Sequence, residues 1–236
     1  MLLLGPAYAE LGCPVEVKLL LASPIAQPVI ASFGFKKKTT GLVYFFDTES
    51  LDLLMQGVIV RVRLGEDNDL TVKLRPPKGG NSDDRSYLGE QFPCEVDRTQ
   101  AGAETSYAVG RRYNAMKVPE NGVDLYHQLS GSQMRLLHEA AVSIDWARVG
   151  PVARIDSTKW RTQTRSPYGK LALELWVWPA GKLLELSSKV PPAADASKWA
   201  ELERVLIMKG LNLNASQDTK TAKVLMTYVN HAAPSR

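Results

Sequence analysis

Apolar and polar residues alternate with period two in several stretches of this chain, the pattern of strands with one face on a core. Val15-Glu16-Val17-Lys18-Leu19 is the first such stretch. Val58 to Leu64 and Leu70 to Arg75 follow, separated by Gly65-Glu66-Asp67-Asn68-Asp69, a turn by composition, so the two are predicted to form a hairpin. Cys94 to Asp97, Lys159 to Thr162, Leu171 to Trp178 and Leu183 to Val190 are further strand candidates, and Pro179-Ala180-Gly181 turns the last two into a second hairpin. Helical spacing is scarcer. It predicts a short helix from Glu49 to Gln56 stopped by Gly57, and another from Ser132 to Val142. A longer one runs from Asp195, as cap, to about Lys209, with Trp199, Leu202, Val205 and Leu206 on one face, and Ser216 to Val229 reads as the last. Residues 78–90 and 101–123 read as loops, and Lys36-Lys37-Lys38 as a solvated basic loop.

The parity of the strands sorts the charges. Residues two apart share a face of a strand. Glu16 and Lys18 therefore lie opposite Val15, Val17 and Leu19, while Arg61 and Arg63 lie opposite Val60, Val62 and Leu64. Lys73 pairs with Arg75, Glu95 with Asp97, Lys159 with Arg161, and Glu185 with Ser187 and Lys189 in the same way. Arg154 has the wrong parity to join Lys159 and Arg161 without a bulge. One reading of this segregation is a sheet with a wet, salt-bridged face, the commonest meaning of such alternation. The other is a barrel with charges inside and helices over its apolar outside. Seven or eight strands suffice to close a small barrel around one ligand.

Composition narrows the class. The chain has 236 residues, 44% hydrophobic, with 29 Lys plus Arg against 25 Asp plus Glu, a formal charge of +4. That excludes disorder and collagen, and the net charge is too small to indicate a nucleic-acid partner. No apolar run reaches the roughly 18 residues of a membrane helix. Cys13 and Cys94 have no zinc-ligand spacing with His127, His138 or His231 and read as buried thiols or one disulfide. Ala7-Tyr8-Ala9 after Leu2-Leu3-Leu4 has the form of the end of a secretory signal, without a basic region before it. A periplasmic or secreted location and a cytoplasmic one both stay open. Residues 1–12 read as an extension, 13–230 as a single domain and 231–236 as a tail.

Tyr44-Phe45-Phe46-Asp47-Thr48, then Leu51, Leu54 and Gly57, then Val60-Arg61-Val62-Arg63, resembles the CYTH domain, the triphosphate tunnel metalloenzymes. Class IV adenylyl cyclases and thiamine triphosphatases belong to that family. Leu70-Thr71-Val72-Lys73-Leu74 is similar to its next strand, an L-T-x-K-like segment. The first strand of the family carries E-x-E-x-K. Here it reads Pro14-Val15-Glu16-Val17-Lys18, with Pro14 in place of the first Glu, and a later E-x-E reads Glu185-Leu186-Ser187. Glu95 and Asp97 resemble the central acidic strand, and Lys159 with Arg161 the basic one. Glu174 lies near another acidic position, and Lys220 with Lys223 resemble a lysine-bearing segment that closes one tunnel end.

The resemblance implies an α+β, mainly β fold: a closed eight-stranded antiparallel barrel, or tunnel, with covering helices. It implies a divalent-metal-dependent phosphohydrolase acting on inorganic tripolyphosphate or a nucleoside or thiamine triphosphate. The expected catalytic residues are Lys18 and Glu16. The expected phosphate ligands are Lys18, Arg61, Arg63, Lys73, Arg75, Lys159, Arg161 and Lys189, and the expected ligands of Mg²⁺ or Mn²⁺ are Glu16, Glu95, Asp97 and Glu185. Pro14 and Ser187 each remove a carboxylate, so a non-catalytic binder of phosphorylated ligands with a decayed metal site is the alternative. The partner expected is a small triphosphate or polyphosphate, not nucleic acid, with no membrane span. Oligomeric state stays open, since helices or a second chain could cover the apolar strand faces.

Overall fold

The computed structural model of the protein describes residues 12–65, 68–76, 85–100, 102–114, 117–163, 167–216 and 219–232. The signal-like Ala7-Tyr8-Ala9 and the tail after 232 lie outside the described residues. The strands are β1 (Val15–Leu20), β2 (Phe35–Asp47), β3 (Val58–Gly65), β4 (Asp69–Leu74), β5 (Cys94–Thr99), β6 (Gly102–Arg112), β7 (Gly150–Thr162), β8 (Leu171–Trp178) and β9 (Gly181–Val190). The α-helices are α1 (Ala26–Phe33), α2 (Asp52–Met55), α3 (Gly122–Tyr126), α4 (Gly131–Glu139), α5 (Asp195–Met208) and α6 (Lys220–Ala232). The strands close a barrel in the order β1-β5-β6-β4-β3-β2-β7-β8-β9.

This corrects the expected eight antiparallel strands to nine in a mixed barrel. The ninth strand is β6, in the stretch read as loop. Its glycines, Ala103 and Ala108 blur the period-two signal, and pairing with β4, not its own propensity, holds it extended. The mixing arises at β1, which pairs antiparallel with β9 and parallel with β5. A parallel neighbour needs a long crossover, not a hairpin, and so leaves no turn signal beside either strand. Lys36-Lys37-Lys38 is likewise strand, the start of β2. The two hairpins β3–β4 and β8–β9 form as expected, the second with Trp178 paired to Gly181 across a two-residue turn.

The chain divides into two compact units. The first comprises Met1–Thr40, Glu95–Thr105 and Ser157–Lys220. Its core joins Val17 and Leu19 of β1 and Leu171, Leu173, Leu184 and Leu186 of the β8–β9 hairpin to Val29 and Phe33 of α1 and Leu202, Val205 and Leu206 of α5. Helices thus cover the apolar strand faces, and Glu16 and Lys18 look the other way, into the barrel. The second unit comprises Gly41–Cys94, Ser106–Asp156 and Thr221–Arg236. There Val58, Val60, Val62, Leu70, Val72 and Leu74 pack under Leu125 of α3 and Leu136 and Leu137 of α4. Gln133 of α4, fully buried, donates to the carbonyls of Leu70 and Val109 at 2.8 and 3.1 Å, which fixes that helix on β4 and β6. The inward-facing reading of the charges, rather than the wet outer face, is therefore the one the packing supports.

The aromatic-aromatic-Asp-Thr end of β2 has a local structural task. Asp47, 2% exposed, accepts hydrogen bonds from the backbone N–H groups of Thr48 (2.7 Å), Leu53 (2.8 Å) and Leu54 (3.0 Å), satisfying the start of the four-residue α2. Gly57 then turns the chain at φ 75, and a Cβ there would stand 2.2 Å from the carbonyl oxygen of Arg75. Both cysteines are disulfide-bonded, and they are the two in the sequence, so Cys13 and Cys94 pair, beside the Val96 N–H to Pro14 carbonyl bond of 2.9 Å that starts the β1–β5 ladder.

Two outcomes follow from these contacts. Asp47→Ala leaves three buried donors without their acceptor and is expected to cost about 2–4 kcal/mol in urea unfolding. Unreduced protein is expected to take up no thiol label until it is unfolded with a reductant. Reduction is expected to lower stability by roughly 4–5 kcal/mol for a loop of this length.

Candidate functional site

In the first unit the site starts from backbone register. Parallel pairing sets Glu16 of β1 beside Asp97 of β5, and antiparallel pairing sets it opposite Lys189 of β9. Glu16, Glu95 and Asp97 each bring a carboxylate oxygen within 4.8 Å of the other two. Three like charges so close repel, and cations on β1 and β9 offset the repulsion. The Lys18 ammonium donates to Asp97, itself 1% exposed, and lies 3.2 Å from Glu16. Lys189 lies 3.2 Å from Glu95. Burial opposes ionisation of Glu16, yet Lys18 and then Lys220 overcome it and lower the pKa to about 2. Ser187, which stands opposite Lys18 where the family pattern has a carboxylate, hydrogen-bonds Glu16 instead.

A second charged group sits on the β8–β9 hairpin of the same unit. Register places Glu174 directly opposite Glu185. Lys220, the first residue of α6, donates to Glu174 and lies 2.8 Å from Glu185, with its ammonium 4.5 Å from the centre of the Trp176 ring. Ser157 of β7 donates to Glu174 at 3.0 Å. Burial works against the Glu174 charge, but Lys220 and Lys159 outweigh it and hold its carboxyl far below the ordinary range. Burial pushes the Lys159 ammonium below its usual value, against the pull of Glu174 and with the repulsion of Lys220 and Arg161.

The second unit carries its own cationic face. Arg63 donates to Asp69 at 2.6 Å, Arg61 lies 3.8 Å from the same carboxylate, and Thr71 donates to it at 2.7 Å. Asp69, read from the sequence as part of a turn, is the first residue of β4 and stands opposite Arg63. Lys73 faces Ile59 in the ladder, and Arg75 follows just beyond the strand, its N–H bonded to Gly57.

The structure therefore brings Glu16, Lys18, Glu95, Asp97 and Lys189 together in one cluster. It places Glu185 apart from the other expected metal ligands, with Glu174 and Lys220. Lys159 and Arg161 share the unit of that cluster, while Arg61 and Arg63 share Asp69. Arg154 is exposed and paired to Asp156 at 3.3 Å, on the opposite face of β7 from Lys159, as parity requires. Asp69 and Ser157 were not legible as site features, because a turn composition and a lone serine carry no strand parity, while Lys220 stands out only through the family resemblance, without its carboxylate partners.

No protein-family profile matches the sequence, and a search of curated proteins finds no relative. Solved structures do match. A Hippeastrum protein, HpAC1, described as an adenylyl cyclase candidate with dominant triphosphatase activity, is 21% identical. It covers 90% of this chain and 94% of its own, with a TM-score of 0.63. A Bacillus halodurans adenylate cyclase candidate is 14% identical over 89% of this chain and 96% of its own, with a TM-score of 0.58. This chain has the CYTH-type triphosphate tunnel fold. Among the described residues no helix is long and apolar enough to cross a membrane.

The charge arrangement sets a pH dependence. A carboxyl whose folded pKa lies below its unfolded value stabilises the fold above the unfolded pKa and ceases to do so as pH falls through the folded one. Glu16, ordinarily near 4.5 and here about 2, contributes on the order of 3 kcal/mol above pH 4.5, fading toward pH 2. The stability gap between wild type and Glu16→Gln, from denaturant melts at stepped pH, is expected to be flat from pH 7 to about 5 and to narrow below 4.5.

Proposed function

We propose that this protein is a divalent-metal-dependent phosphohydrolase that cleaves the terminal phosphoryl group of a triphosphate-containing substrate. Inorganic tripolyphosphate and nucleoside or thiamine triphosphates are the candidates. The observation that carries this reading is the facing trio Glu16, Glu95 and Asp97 with Lys18 among them, on the inward side of a triphosphate-tunnel fold. The triphosphatase described for HpAC1 supports it at the level of reaction class.

The donor set suits Mg²⁺ or Mn²⁺. Three carboxylates within one small volume offer hard oxygen ligands, and such ions need only one or two from protein when phosphate and water complete the shell. A bound ion supplies charge neutralisation at the phosphate oxygens. Glu16, Glu95 and Asp97 would hold it, while Glu185 is already engaged by Lys220.

The chain's own residues do the rest. Hydrolysis breaks the terminal P–O bridge and forms a P–O bond to water, with charge spread over the equatorial oxygens, so catalysis is mainly positioning and electrostatics. Lys18 is the ammonium nearest the carboxylates and takes the reacting phosphoryl group as its counter-charge. With a pKa of about 2, Glu16 stays ionised at neutral pH, which suits a ligand and excludes it as an efficient general base there. In the first unit Lys159, Arg161 and Lys189 serve as phosphate ligands; Arg61, Arg63, Lys73 and Arg75 form a separate cationic set within the second. The disulfide favours an oxidising compartment, hence the periplasmic or secreted location.

The binder reading draws on two observations. Ser187 satisfies Glu16 by hydrogen bonding where a carboxylate is missing, and Pro14 gives the β1 start only its carbonyl. Phosphate release from tripolyphosphate, ATP and thiamine triphosphate, with and without Mg²⁺ or Mn²⁺, decides between the two. The expected result is metal-dependent release that falls about 100-fold or more in Lys18→Ala and Glu16→Ala. Unchanged turnover in both variants would sink the assignment, and a triphosphate-raised melting temperature without release would establish the binder.

A further inference from the structure

We propose that Lys220 is a built-in cation that occupies the Glu174–Glu185 pair in place of a divalent ion, so that this chain binds a single divalent ion, at Glu16, Glu95 and Asp97. The proposal rests on the reading of that trio as the divalent site, and it concerns the other carboxylates of the same unit.

Register is the first argument. Glu174 and Glu185 are directly opposed on adjacent antiparallel strands, where like charges destabilise each other, so the hairpin requires a cation between them. Glu185 is buried to 5% exposure and Glu174 is half-buried, its side chain 16% exposed, so solvent screens the pair only in part. The cation present is Lys220, in contact with both carboxylates at once.

Confinement is the second argument. The ammonium is closed in by the Trp176 ring on one side at 4.5 Å, and the remaining oxygen of Glu174 is taken by Ser157 at 3.0 Å. Lys159 acts on Glu174, Arg161 acts in turn on Lys159, and Lys220 also acts on Glu16. A hard divalent ion entering here would meet an ammonium on its own ligands and a second lysine nearby. At the trio the situation differs: Lys18 contacts Glu16 and Asp97, while Glu95 faces Lys189, whose side chain is 69% exposed and can swing into water. That cluster can take an ion by moving one solvated lysine off Glu95 and shifting Lys18, which lies on the same strand as Glu16, along Glu16 and Asp97. The other can do so only by expelling the first residue of α6.

Mn²⁺ titrated into metal-free protein and followed by the free-ion EPR signal, without substrate, tests this. Wild type is expected to bind one ion, Asp97→Asn to lose it, and Glu174→Gln to keep it with affinity changed by less than about threefold. Lys220→Met is expected to gain a second ion and to be raised further in melting temperature by Mn²⁺ than wild type is. Two ions on wild type, a loss of about tenfold or more in Glu174→Gln, or no added ion on Lys220→Met would overturn the proposal. The Glu174→Gln measurement decides even if Lys220→Met does not fold. No ion on wild type would sink the metal reading of the trio, while an ion gained on Lys220→Met would still uphold the role of Lys220. Absence of phosphate release would leave all these ion counts standing.

Discussion

Opposed carboxylates on neighbouring strands must be separated by a cation before the first unit can close. Glu16 lies beside Asp97 across a parallel pair, and Glu174 lies opposite Glu185 across an antiparallel one. Each pair is turned inward because the other face of the same strands carries the leucines and valines that pack under α1 and α5. Hydrophobic burial outside therefore dictates charge burial inside. The two lysines resolve it differently, Lys18 from within β1 and Lys220 from the start of the last helix.

Magnitudes show why the arrangement holds and why it is poised. Two unit charges 4 Å apart interact by about 4 kcal/mol at an effective dielectric of 20, close to the several kcal/mol it costs to desolvate each ion. A single buried pair would nearly break even. A lysine shared by two carboxylates gains two attractions for one ammonium desolvated, and the direction of the Glu16 and Glu174 shifts shows that attraction wins over burial. Such a network contributes little net stability compared with an apolar core, yet removing one member leaves a charge with no counterpart. It is the kind of interior that a polyanion and its metal can enter, because they bring the charges that replace the internal ones.

Strand parity made much of this legible. Val15-Glu16-Val17-Lys18-Leu19 and Val58 to Leu64 gave both the strand and its inward face, because period-two alternation is a one-dimensional signal. The same logic placed Arg154 on the outside. What failed is what depends on a partner. β6 is held by β4 and has glycine and alanine where strand formers would announce it, and the parallel β1–β5 pair joins segments far apart in sequence. Asp69 looked like a turn residue because Asn68 and Asp67 precede it, although its register opposite Arg63 makes it the anchor of the second unit's arginines. Register, unlike periodicity, is a property of two strands.

The position of Lys220 has a cost that argues for its purpose. A cation on the first turn of a helix opposes the positive end of the helix dipole, which favours Asp or Glu there. α6 nevertheless begins with Lys220, and its ammonium lies against two carboxylates. Those anions offset the charge of the ammonium itself. A neutral residue at 220 would remove the unfavourable dipole interaction but leave Glu174 and Glu185 opposed with no shared counter-charge. The hairpin and the lysine are thus settled jointly. Any ion that takes the place of Lys220 must also take over its task of compensating Glu174 and Glu185, a task that a side chain tethered to the backbone performs at every ion concentration and a free ion only when bound.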